Sequence, residues 1–202
     1  MRKKSEILEI MEIFNRDDPN PRCELNYSNA YTLLVAVVLS AQTTDKGVNR
    51  ATAELFKVAD TPQKMVELGE QKLISYIRTI GLFNNKAKNI ISMSKDLLER
   101  FGGEVPELRE DLETLAGVGR KTANVVLNVW YHKPALAVDT HVMRISHRLD
   151  MLSMPITGWF CLDVISARRS APNAKNAPYH HIVAVRIKGY KVRNFLTLSN
   201  YN

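Results

Sequence analysis

The chain has 202 residues, 45% hydrophobic and 24% charged, which supplies a packed core and excludes wholesale disorder. No apolar run approaches the roughly 20 residues that cross a bilayer, the first ten residues read as amphipathic rather than as a secretory leader, and Cys23 and Cys161 are too few for a disulfide framework or a four-cysteine metal site, so the expected location is cytoplasmic. The net charge of +7 says little about the body of the chain, because residues 1–150 carry 21 Lys and Arg against 20 Asp and Glu, whereas residues 151–202 carry seven against Asp163 alone.

In chain order, Ile7, Leu8, Ile10, Met11 and Phe14 recur at helical spacing over residues 2–15 and predict an amphipathic helix that needs a cover. After the breaker Asp-Asp-Pro-Asn-Pro at 17–21, residues 30–41 are so apolar that a helix there must be buried nearly all round. Ser28-Asn29 ahead of it favours helix, while Val35, Val37 and Val38 leave strand open. Thr44-Asp45 starts the next helix, and Thr61-Pro62 starts another, a cap followed by proline at the first helical position. Gly69 should end that one. Leu73 to Ile77 make a further short helix stopped by Gly81, and residues 86–101 a longer one closed by Gly102-Gly103. Helical patterns at 106–115, 119–131 and 140–149 complete an all-α reading of residues 1–150.

Beyond Met151 acidic residues almost vanish, and the stretch Ser166-Ala-Arg-Arg-Ser-Ala-Pro-Asn-Ala-Lys-Asn-Ala-Pro178 has neither apolar period nor capping logic. Residues 151–202 therefore read as an irregular tail. A basic arm that grips nucleic acid and a segment with no selected structure both fit that composition.

Chemistry concentrates in Leu115-Ala-Gly-Val-Gly-Arg-Lys-Thr-Ala123, where two glycines two apart precede a helix start. Gly117 and Gly119 can take positive φ and let backbone N–H groups approach an anion, and the helix dipole favours negative charge there. A plain helix–helix turn is the competing reading of the glycines alone. Lys121 alone is an ordinary surface lysine, and Asp139 alone an N-cap for the helix starting at Thr140.

This block resembles the helix-hairpin-helix of the DNA glycosylase superfamily, and with Ala137-Val-Asp-Thr-His-Val-Met-Arg144 it resembles the endonuclease III family. Leu39-Ser-Ala-Gln42-Thr-Thr-Asp45 and Ile80-Gly-Leu-Phe-Asn-Asn-Lys-Ala-Lys88 match that family's segments in the same order, so the likeness runs over about residues 1–149. It implies a helix-hairpin-helix glycosylase fold. The expected division is a six-helix lobe over 25–133, the remainder of a second, incomplete lobe from 1–24 and 134–150, and the tail at 151–202. It also implies a monomeric base-excision enzyme at the bacterial nucleoid, acting on oxidised pyrimidines or abasic sites in duplex DNA.

By the same resemblance, Lys121 is the nucleophile that attacks the sugar C1′ and Asp139 is its acidic helper. The amine is suited to the task where a helix's positive end disfavours an ammonium, and a carboxylate can stabilise charge growing on the sugar. Gln42 is either a satisfied helix-terminal amide or the group filling the gap left by an extruded nucleotide. Leu82 is either a wedge that props the duplex or a loop residue packed inward. Gly117, Val118, Gly119 and Arg120 are implied DNA contacts, and Lys86, Lys88 and Arg144 are candidate phosphate contacts.

Two departures stand out. Ala116 replaces the hairpin's usual proline, which should loosen the turn slightly. The family's Cys-x6-Cys-x2-Cys-x5-Cys loop for a [4Fe–4S] cluster is absent, so no cofactor is expected in this chain. Codons explain how. In a frame beginning at the third base of each codon, the junctions Ser166/Ala167, Asn173/Ala174, Asn176/Ala177 and Ile182/Val183 can each encode cysteine, at that same spacing, and Asp163 to Ser166 can encode Arg-Tyr-Ile just before. The tail thus reads as frameshifted, after loss of an upstream segment. Ile7, Met11 and Phe14 are then expected to face water, at about 1.5–3 kcal/mol per large side chain. The enzyme is expected to be weakened. A non-catalytic hairpin module that binds DNA, and a decayed gene product, are the alternatives.

Overall fold

The computed structural model describes residues 3–19, 21–150, 182–184 and 195–197. Local capping chemistry explains most helix starts. At α1 (Lys4–Asp17) the Lys3 N–H donates to the Glu6 carboxylate at 2.8 Å. At α2 (Ala30–Ser40) the Asn29 side chain accepts from the Thr32 N–H at 2.8 Å while the Thr32 hydroxyl accepts from the Asn29 N–H at 3.0 Å, a reciprocal box. Thr44 caps α3 (Asp45–Val58), and Thr61 with Pro62 starts α4 (Pro62–Ile77). Inside α4, Gly69 at φ 78° and ψ 160° breaks the helical path, as the glycine predicts.

α5 (Phe83–Phe101) begins three residues before the expected start, because its N-cap is Leu82 in the left-handed conformation, which leaves no polar cap to be read. α6 (Arg109–Glu113) is shorter than predicted, since Leu108 ahead of it is extended and contributes no capping side chain. α7 (Arg120–Val129) follows the hairpin turn, and α8 (Thr140–Arg148) follows Asp139. The described part of the tail contributes two strands, β1 (Ile182–Ala184) and β2 (Phe195–Thr197), paired antiparallel with Val183 opposite Leu196. The rest of the tail expectation lies outside the described residues. Among the described residues no helix is long and apolar enough to cross a membrane.

The chain divides into two units, one formed by Cys23–Tyr131 and the other by the described parts of Met1–Arg22 and His132–Asn202. In the first, α2 is the central rod. Tyr31 to Leu39 are all buried, which fits its apolar sequence and settles helix over strand. Around it α4 packs on α5, α2 on α7 and α3 on α4, burying Leu33, Leu55, Met65, Ile77, Ile90 and Leu112 completely. A hydroxyl pair bridges α2 and α5 inside this core. The Tyr31 hydroxyl donates to the Ser94 hydroxyl at 2.6 Å, because Ser94 itself donates to the Ile90 carbonyl, and burial pushes the Tyr31 phenol's pKa up.

The second unit is thinner. Phe14 and Leu149 pack against the buried Ile145, so Phe14 has a partner and does not simply face water. Ile7, Ile10 and Met11 are half-buried, whereas Leu8 and Ile13 are 43% and 40% exposed. Among the described side chains of α1 none is fully buried.

Candidate active site and nucleic-acid interface

Within the Cys23–Tyr131 unit, three turns carry most of the residues singled out from the sequence. The first follows α2. Gln42 lies just past the helix with φ 57°, exposed, and its side-chain amide makes no hydrogen bond among the described residues. It is not a satisfied helix-terminal group. A non-glycine residue in the left-handed region is uncommon and costs about 1 kcal/mol or more.

The second turn precedes α5. Leu82 also has a left-handed backbone, φ 59°, and its side chain is 60% exposed. It does not pack inward. The two turns adjoin, because a Cβ built on Gly81 would lie 3.9 Å from the Gln42 carbonyl oxygen. Two residues with left-handed backbones and exposed side chains thus stand on neighbouring loops.

The third turn is the hairpin. Gly117 has φ 78°, and a Cβ there would come within 3.0 Å of the Asn89 side chain on α5, so glycine is required twice over. Gly119 differs from the expectation. It caps α7 in an extended conformation, φ −96° and ψ 176°, with nothing within 4 Å of a built Cβ, so no positive φ is used. What its missing side chain supplies is open space at the head of the helix. The first intrahelical bond runs from Ala123 N–H to Gly119 O, 3.0 Å, and the N–H groups of Gly119 and Arg120 belong to the set a helix leaves without an internal acceptor.

Arg120 and Lys121 are exposed on the first turn of α7, whereas Val118 is buried and its N–H donates to the Leu115 carbonyl at 3.1 Å. Val118 therefore anchors the turn from inside rather than offering its own amide or side chain to a ligand. Lys86 is likewise reassigned. Its side chain is buried, and its ammonium donates to Leu39 O at 2.9 Å, Ala41 O at 2.6 Å and Thr43 Oγ1 at 3.2 Å. Three internal acceptors use up its three donors, so it has nothing left for a phosphate. Desolvation holds its pKa below the ordinary lysine value. Lys88, two residues on, is exposed.

In the other unit, Asp139 caps α8. Its Oδ1 accepts the Val142 N–H at 2.9 Å, and its carbonyl accepts from Met143 N–H at 3.0 Å. The capping role predicted for it is present, and it fixes the orientation of the carboxylate. Arg144 is exposed on the same helix.

Among the described residues no three His, Cys, Asp or Glu side chains gather as a metal site requires. The four thiolates of a [4Fe–4S] cluster do not fit this sequence, which has Cys23 in the helical unit and Cys161 outside the described residues.

Residues 35–155 match the family described as HhH-GPD superfamily base excision DNA repair protein. The chain is 57% identical over 145 residues to endonuclease III of Haemophilus influenzae, covering 72% of this chain and 69% of that protein. It is 54% identical over 145 residues to endonuclease III of Escherichia coli, with the same coverage. Among solved structures, a trapped covalent intermediate of endonuclease III with DNA superposes with a TM-score of 0.72 at 44% identity, over 76% of this chain and 72% of that one.

Proposed function

This chain belongs to the endonuclease III family within the HhH-GPD superfamily of base excision DNA repair proteins, and on that premise we propose that Lys121 is its catalytic nucleophile and Asp139 the acidic helper. The protein is a base excision repair glycosylase with lyase activity whose partner is duplex DNA. Oxidised pyrimidines are the substrate bases and the nucleoid the place of action.

The observation that carries this reading is the position of Lys121, exposed in the first turn of α7 directly after the Gly117–Gly119 bend. The open helix head at Gly119 and Arg120 suits a DNA phosphate, and an anion seated there brings the strand to the turn that bears the amine. A bond then forms from Lys121 Nζ to the sugar C1′ while the bond to the base breaks, the base leaving with the electron pair and taking a proton. Positive charge grows on the sugar, and a carboxylate in the place of Asp139 stabilises it and receives the amine's proton. Ring opening gives a Schiff base. Loss of a proton from C2′ then expels the 3′ phosphate by β-elimination and cuts the strand.

Gln42 and Leu82 are read as the side chains that occupy the space of an extruded nucleotide and prop the stack. Their exposure and left-handed backbones support this, because strained, unpartnered side chains at a surface persist where function uses them. The relative in the solved complex was trapped as a covalent intermediate with DNA, the kind of species an amine nucleophile makes.

We further propose that the activity is weakened in this chain. The cluster loop is missing from the sequence, and among the described side chains of α1 none is fully buried. Borohydride reduction of the protein mixed with an abasic duplex tests the catalytic reading. The wild type should give a covalent adduct and Lys121→Ala none while still binding; a non-catalytic hairpin module would bind and give no adduct in either form.

A further inference from the structure

Lys86 reaches both turns that carry Gln42 and Leu82. Its backbone N–H donates to the Leu82 carbonyl at 3.0 Å, the bond that opens α5. Its side chain runs through the core to the end of α2, where the ammonium bonds Leu39 O, Ala41 O and Thr43 Oγ1. Two of those acceptors flank Gln42, one on each side.

A helix end leaves its last carbonyls without partners, and a lysine can satisfy them from the surface at little cost. Here the lysine is instead taken inside, Lys86 being 6% exposed as a residue and its ammonium bonded to three internal acceptors. Burying an ammonium is costly unless every donor is used, and an apolar residue of similar length would fill the same path without that cost. The charge therefore has work that packing alone cannot do. That work is visible in the backbone it holds, because Gln42 sits at φ 57°, a conformation that needs surrounding contacts to persist.

We propose that Lys86 is a positioning residue that fixes Gln42 in its left-handed turn and couples that turn to Leu82, so that the two side chains meet DNA as a preset pair. The inference rests on the reading of Gln42 and Leu82 as residues inserted into the duplex. Lys86 itself touches no DNA.

The test measures dissociation constants of the full chain for a duplex carrying a tetrahydrofuran abasic analogue and for the same duplex intact. It also measures fluorescence of 2-aminopurine placed opposite the analogue. Lys86→Met keeps the buried path filled and removes the donors. It is expected to lower the preference for the abasic duplex by about tenfold, while affinity for intact duplex, set by the hairpin, changes less than about twofold. The 2-aminopurine signal should drop with it.

In a Gln42→Ala background, Lys86→Met is expected to add less than about twofold, because the residue it positions is already gone. A merely structural lysine would lower both affinities alike and multiply fully with Gln42→Ala, and either result overturns the proposal. If Lys86→Met does not fold, Thr43→Val removes one flanking acceptor at a half-buried site and should shift the preference in the same direction by about threefold; no shift overturns the proposal. Gln42→Ala and Leu82→Ala separate the two levels. Should both leave the abasic preference intact, the insertion reading itself fails; should both lower it while Lys86→Met does not, only the positioning role fails.

Discussion

The Asp139 carboxylate accepts the Val142 N–H at 2.9 Å and so begins α8. One side chain thus carries a structural duty and, in the proposed reaction, a chemical one, and two substitutions pull them apart. Asparagine is as good a helix cap as aspartate but has no charge, so Asp139→Asn should change thermal stability by no more than a few tenths of a kcal/mol. It should slow base release in single turnover by about a hundredfold or more. Asp139→Ala should show the same kinetic loss and lose about 1 kcal/mol of stability as well. Equal activity of Asp139→Asn and wild type would leave only the cap.

The two hairpin glycines should respond differently. Gly117→Ala must hold an L side chain at φ 78° and press it to 3.0 Å from Asn89, at a cost of about 2 kcal/mol, with weaker DNA binding. Gly119→Ala meets nothing within 4 Å and keeps an ordinary backbone. Its melting temperature should stay near that of wild type, and any loss should appear only in DNA affinity, where the new methyl group crowds a phosphate. Thermal melts and binding titrations on both variants check the contrast.

At Gln42 stability and function should move in opposite directions. Gln42→Gly relieves the left-handed strain at φ 57° and is expected to stabilise the fold by up to about 1 kcal/mol while weakening recognition of an abasic duplex. Leu82→Ala removes a side chain that is 60% exposed, so it should leave stability within about 0.5 kcal/mol and reduce the same recognition.

Features governed by near neighbours in the chain were legible in the sequence. Asn29, Thr44, Thr61 and Asp139 each cap the helix they precede, because the capping bond spans only three residues. Gly69 breaks α4 for an equally local reason. The internal bonds of Lys86 are not legible in the sequence because its acceptors lie 43 to 47 residues away, a separation that periodicity cannot report. Its helical spacing from Ile90, Met93 and Leu97 is the available signal, since a lysine on the inner face of an amphipathic helix needs an internal partner. Gly117 and Gly119 look alike in the sequence, either being able to take positive φ; the approach of Asn89 to Gly117 distinguishes them. Leu82 hid the start of α5, since a left-handed leucine carries no capping signature.

The tail makes a prediction that needs no protein. In the coding DNA, the frame beginning at the third base of each codon should read TGC or TGT at the Ser166/Ala167, Asn173/Ala174, Asn176/Ala177 and Ile182/Val183 junctions. A shifted frame that does not yield those four cysteines would remove the frameshift as the origin of their absence.

In the proposed reaction the amine of Lys121 bonds to the sugar. Borohydride trapping of the wild-type chain on an abasic duplex, followed by digestion and mass spectrometry of the cross-linked peptide, locates the atom that bonds to the sugar. A single adduct is expected, on the peptide containing Lys121 and on that residue. An adduct on another lysine, or no adduct under conditions where the abasic duplex is bound, would rule out Lys121 as the nucleophile.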